Sequence, residues 1–136
     1  FGDAIDTGAV TIRRRRWFPL QSAATTMAPM GHLHFHPRSS SYCDDFSMMD
    51  LSFQGHFIHE MTHVWQTQQR GRWYLPLMRH PFCRYHYALR PGWRLERYGI
   101  EQQAEIVRHA FLLERGRIIA GAPSLEAYRA ILPFRG

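Results

Sequence analysis

The chain has 136 residues and a mass of 16.1 kDa, the length of one ordinary domain, and folding at this size hides roughly two-thirds of the surface the unfolded chain exposes. Hydrophobic residues make up 45% and aromatics 14%, which argues against intrinsic disorder, and no apolar run approaches the roughly 18–20 residues that cross a bilayer. The formal charge is +6 and all 17 basic residues are arginine; this admits anionic partners, but the one dense run is Arg13 to Arg16 and no nucleic-acid reader motif is present, so nucleic acid is not the expected partner.

In chain order, residues 9–18 are rich in β-branched and aromatic side chains and predict a strand with one solvated face, although Arg13 to Arg16 break its alternation. Residues 19–31, with Pro19, Pro29 and Gly31, read as a connection. The run HLHFH from His32 to His36 alternates strictly, with Leu33 and Phe35 on one face and the histidines on the other, and an exposed or edge strand is expected. Residues 38–50 form a polar loop that ends in a helix cap, Asp50 or Ser52. From about Leu51 to Arg70 the period becomes helical, with Gly71 as the stop. Phe57, Ile58, Met61, Val64 and Trp65 fall within one apolar arc, and His59 and His63 share the other side.

Residues 72–97 carry aromatics, arginines and Pro or Gly breakers without a sustained period, a long irregular connector of the kind that is usually functional. A second helix is expected over 98–114, with Ile100, Ala104, Val107 and Phe111 as its buried stripe, and a short third one over 125–132 behind the N-cap Ser124. No repeat or boundary divides the chain, so residues 1–136 are expected to form one domain. Cys43 and Cys83 make no metal or redox motif and are either a long-range disulfide or two free thiols.

The chemistry-bearing motif is His59-Glu60-Met61-Thr62-His63, an HExxH inside the helical segment. Residues four apart on a helix stack one turn above the other, so both imidazoles can present a nitrogen to one Zn²⁺. Glu60 points beside that position, where a carboxylate can take a proton from a water that zinc has acidified; it is the expected general base. Catalytic zinc normally takes a third protein ligand, and Glu101 and Glu105 on the second helix are the candidates. Glu101 lies beside the apolar stripe and is the better ligand, whereas Glu105 is turned further toward solvent and suits a hydrogen bond to the far nitrogen of a liganding imidazole.

The sequence HEMTHVWQ followed by an ExxxE helix resembles the gluzincin arrangement. With FGDAIDTGAVTI and GHLHFHP it is similar to the core domain of extracellular contractile injection systems and to bacterial proteins called Vgr-related, over about residues 1–114. The resemblance implies an α+β, zincin-like metallopeptidase fold with His59, His63 and Glu101 as zinc ligands and Glu60 catalytic. It also implies association with secretion or injection machinery. Glu105 stands where Asp is commoner in that pattern, and Trp65-Gln66 where QQ is frequent.

Tyr85, His86, Tyr87 and Tyr98 are candidate donors to an oxyanion; spacing selects none of them, and Tyr98 is carried as the catalytic candidate. The histidines of HLHFH are weaker metal candidates, but the strand itself is a candidate for pairing with extended substrate. The expected function is zinc-assisted hydrolysis of a peptide or protein substrate. Cleavage of amide bonds in the bacterial wall, or an adaptor module with a structural metal, are the alternatives. The first residues show no basic or apolar leader pattern, which does not fix the compartment; the resemblance implies the bacterial cytoplasm or export as an effector.

Overall fold

The long helix α1 (Leu51–Arg70) organises the computed structural model, which describes residues 1–134. Asp50 starts it by accepting the backbone N–H groups of Ser52 and Phe53 at 2.8 and 3.2 Å, satisfying two otherwise unpaired donors of the first turn. Gly71 ends it, with a φ of 92° that side-chain-bearing residues rarely adopt. Beyond it come α2 (Tyr74–Met78), α3 (Ile100–Glu114) and α4 (Leu125–Arg129). Two short strands, β1 (Ile12–Arg13) and β2 (Leu33–His34), pair in parallel, with Ile12 opposite Leu33 and Arg13 opposite His34. The described residues thus form a helix-dominated α+β fold, and no helix among them is long and apolar enough to cross a membrane.

Helices α1 and α3 pack side by side, and Gly55 lets them approach: a Cβ there would stand 3.1 Å from a methyl of Leu112. The start of α3 is held by Gln102, whose Oε1 accepts the Gly99 N–H at 3.0 Å. The core joins Val64 of α1, Ile106 of α3, Leu33 and Phe35 at β2, Leu95 and Tyr128 of α4, all almost fully buried. Tyr128 is the largest of these, and its hydroxyl meets that of Tyr87 at 2.7 Å. Tyr128→Ala should therefore cost about 3–5 kcal/mol, as buried aromatic truncations do; a urea titration giving a loss below about 1 kcal/mol would contradict the assignment of α4 to the core.

Several sequence expectations change. The strand over 9–18 contracts to Ile12–Arg13, because four consecutive arginines leave no face to bury; Arg14 and Arg16 instead bond the carbonyls of Pro37 and Pro19. The HLHFH segment is neither exposed nor an edge. β1 occupies one side of it and Met27 the other, through paired backbone bonds with His34, and His34 and His36 are buried.

The second helix begins at Ile100 rather than Tyr98, which closes the preceding turn Leu95–Arg97. Phe111 is only partly buried, and Ile106, Ala110 and Leu112 widen the covered face. The third helix ends at Arg129, short of 132. The connector carries α2, and Cys43 and Cys83 are both free thiols.

Candidate metal centre

His59 and His63, one turn apart on α1, both aim Nε2 at the same atom, Oε2 of Glu101 in the first turn of α3, each at 3.2 Å. All three residues are buried, and their ligand-type atoms lie within 4.8 Å of one another. The side-by-side packing of two rigid helices, rather than a loop, therefore sets the spacing of the three groups.

The hydrogen bonds behind the rings fix which nitrogen faces Glu101. His59 Nδ1 lies 2.8 Å from Glu105 Oε1, and since a carboxylate only accepts, Nδ1 carries the hydrogen. His63 Nδ1 lies 2.9 Å from Gln66 Oε1. Gln66 cannot turn its amide around, because its nitrogen donates to the Ile100 carbonyl and to Gln103 Oε1, both at 2.9 Å. Gln103 is oriented in turn by donating to the Tyr98 carbonyl at 2.6 Å. Both Nε2 atoms are thus left to present a lone pair toward a carboxylate oxygen, an arrangement that repels unless a cation or a proton lies between.

The electrostatics agree. Burial disfavours a charged His59, but its hydrogen bonds to Glu101 and Glu105 outweigh this and raise its pKa to about 9. Burial likewise pushes the Glu101 carboxyl up, and the bonds from His59 and His63 overcome it and hold the group well below the usual carboxylate range. Glu105 is lowered in the same way, by His59 and then Arg108, against its own burial. A proton on His59 or a cation between these groups would balance the two carboxylates.

The donor set fits zinc: two imidazole nitrogens and one carboxylate oxygen, with far nitrogens held by outer partners. Atoms bound to one tetrahedral zinc at about 2.0–2.1 Å stand about 3.3 Å apart, close to the 3.2 Å between each Nε2 and Oε2. Beside the cluster, Glu60 is buried; its Oε1 is 3.9 Å from His56 Nε2, and its Oε2 has no hydrogen-bond partner among the described residues. A buried carboxylate oxygen without a donor is costly and points to a missing polar partner.

The structure thus brings together His59, Glu60, His63, Glu101 and Glu105, but not Tyr98. Its ring is buried against Trp93 and its hydroxyl accepts the Arg90 N–H at 2.9 Å, which commits that group to the backbone. Tyr85 is the aromatic at the centre instead, its ring parallel to that of His59 with centroids 6.3 Å apart. Among the described residues, none of the HLHFH histidines joins the cluster of His59, His63 and Glu101.

Glu105, rather than facing solvent, is held between His59, Arg108 at 3.2 Å and His109 at 3.5 Å. Sequence reasoning missed several contributors. Gln66 stands three positions after His63, and His109 four after Glu105, so helical spacing alone could have flagged both. Arg79, whose Nε lies 3.0 Å from Glu101 Oε1 as an ion pair without hydrogen-bond alignment, comes from the aperiodic connector and gave no signal.

No family model matches the chain. It is 42% identical over 123 residues to the type VI secretion system spike protein VgrG2b of Pseudomonas aeruginosa, a match spanning 82% of this chain but only 12% of that much longer protein. Among solved structures it is similar to the effector domain of Pseudomonas aeruginosa VgrG2b, with a TM-score of 0.71 and 36% identity, covering 97% of this chain and 75% of that one.

Proposed function

This chain belongs to the family of the VgrG2b effector domain, and we propose that it is a zinc-dependent hydrolase of zincin-like type, a metallopeptidase acting as an effector of a type VI secretion apparatus. The observation that carries the hydrolase reading is the convergence of His59, His63 and Glu101 on one point beside the uncommitted carboxylate of Glu60. The association with secretion rests on the name of the related spike protein.

His59 and His63 would hold the ion through Nε2 and Glu101 through Oε2, with Glu105 and Gln66 fixing the rings. Zinc bound there supplies Lewis acidity, polarising a carbonyl and bringing the pKa of a water to about 7. Glu60 takes up the proton of the attacking water at its free Oε2 and returns it to the leaving amine. Tyr85, half-exposed and with its ring beside that of His59, would be the donor to the carbonyl oxygen as it gains charge.

The test is elemental analysis with a protein-hydrolysis assay before and after chelation. About one zinc per chain, and activity lost on chelation and restored by zinc, are the expected results. A protein that never takes up metal, even after reconstitution, overturns the reading. A zinc protein that cleaves purified wall material but no polypeptide would move the substrate to wall amides. Zinc uptake should also release a proton from His59, whose pKa of about 9 keeps it protonated at neutral pH in the metal-free protein. A ligand imidazole must be neutral, so apparent affinity should rise about tenfold per pH unit from 7 to near 9 and level off above it. Calorimetry in buffers of different ionisation enthalpy measures that proton.

A further inference from the structure

One long stretch of this protein carries charge of a single sign: between Met61 and Leu95 the sequence has six arginines and no Asp or Glu. Most of that stretch is the connector, which folds into a groove of about 680 Å³ against the start of α3, within the roughly 300–1,000 Å³ usual for ligand sites. Arg84, Arg90, Arg97 and His86 line it together with Phe82 and Trp93, and no carboxylate among the described residues does.

The groove is a built feature. The Arg90 guanidinium lies over the Trp93 ring at 4.7 Å, the Arg90 N–H donates to the buried Tyr98 hydroxyl, and Gln102 of α3 donates to the His86 carbonyl at 2.6 Å. The last of these ties it to the helix that carries Glu101. It adjoins the candidate metal centre, because His80 and Cys83 line both the groove and the smaller opening where Arg79, Tyr85 and Glu101 meet.

We propose that this groove is the substrate-binding cleft on one flank of the scissile bond, and that it selects an acidic polypeptide segment: carboxylate side chains for the arginines, and an aromatic or large apolar side chain against the exposed ring of Phe82. The inference rests on the hydrolase reading for its role in catalysis, but its binding chemistry stands on the groove alone. Cationic guanidiniums unopposed by local carboxylates favour an anionic chain electrostatically, and planar Arg suits bidentate carboxylate contacts. An anionic bilayer is the competing occupant. A concave floor hydrogen-bonded to α3 favours a chain that enters the groove over a flat surface that would meet only its rim.

The test uses two fluorescein-labelled octapeptides with a central Phe, flanked by Glu in one and by Gln in the other, bound to the zinc-loaded full chain carrying Glu60→Gln. The acidic peptide should bind about tenfold or more tighter, with an advantage that shrinks in high salt. The combined change Arg84→Gln, Arg90→Gln and Arg97→Gln should abolish that preference while zinc content and helical circular dichroism stay unchanged. Equal binding of the two peptides, or a preference that survives the triple change, overturns the proposal.

Arginine-dependent binding to phosphatidylglycerol vesicles without binding of either peptide also overturns it, in favour of a membrane face. The hydrolase reading fails separately. Acidic peptides that bind but are never cut by the wild-type protein keep the groove and sink the hydrolase, whereas cutting that ignores flanking charge keeps the hydrolase and sinks the groove.

Discussion

Glu60→Gln should leave the zinc content of the protein unchanged and lower its hydrolytic turnover by about 10²–10⁴-fold, the range general-base catalysis contributes. The substitution keeps the size and the buried position of the side chain, next to His56 and without a donor on Oε2. It removes only the capacity to take up a proton. An amide at this position cannot serve as a base, yet Glu60 is not among the three groups that converge on the metal position, so occupancy has no reason to fall. The measurement pairs elemental analysis with steady-state rates, and the effect should lie in kcat rather than KM, since the proton moves only in the transition state. Retained turnover in the glutamine variant would remove Glu60 from the mechanism and reduce the centre to a structural one.

Glu101→Ala should have the largest effect on the metal itself. Loss of an outer partner to a liganding histidine usually weakens metal binding about 10–100-fold, and that is the effect expected of Glu105→Ala, which strips the acceptor from His59 Nδ1. Removal of Glu101 goes further, because it takes away one of three donors and also the negative charge that two buried imidazoles and Arg79 share. Affinity should fall by well over 100-fold, below what competition with a weak chelator would tolerate. If Glu105→Ala instead loses more zinc, then the ligand is Glu105 and the roles of the two carboxylates are exchanged, whereas equal losses would overturn the division of roles between them.

The part of this molecule that periodicity could reach was the helical part. Asp50 as cap, Gly71 as stop, and the stacking of His59 over His63 all follow from local rules that hold in any setting, and they are where the structure and the sequence agree. The side of α3 that carries Glu101 was also readable, because a carboxylate next to an apolar stripe is carried into the interface by its neighbours. The burial of Glu105 was not, because that depends on what α1 presents, and a helical wheel knows only its own helix.

The strands failed for a related reason. HLHFH alternates as an exposed edge strand would, but its exposure is decided by β1 and by Met27, which lie on other segments. The same distinction separates Tyr98 from Tyr85. Both are aromatics in or next to an aperiodic connector, and only the three-dimensional path of that connector puts one ring against His59 and the other hydroxyl on a backbone amide.

The separation along the chain of the groups that would hold the metal has a consequence for how the protein folds. Glu101 lies 38 positions after His63, with the connector between them. A polypeptide emerging from the ribosome therefore displays the two histidines, on a helix able to form locally, well before their carboxylate partner exists. Closing that loop has an entropic cost that grows only slowly with its length, and docking α3 against Gly55 and the α1 face is what brings Glu101 to the two histidines. Zinc held at full affinity only by the finished site should then stabilise the domain by mass action, chiefly by slowing its unfolding rather than by speeding its formation.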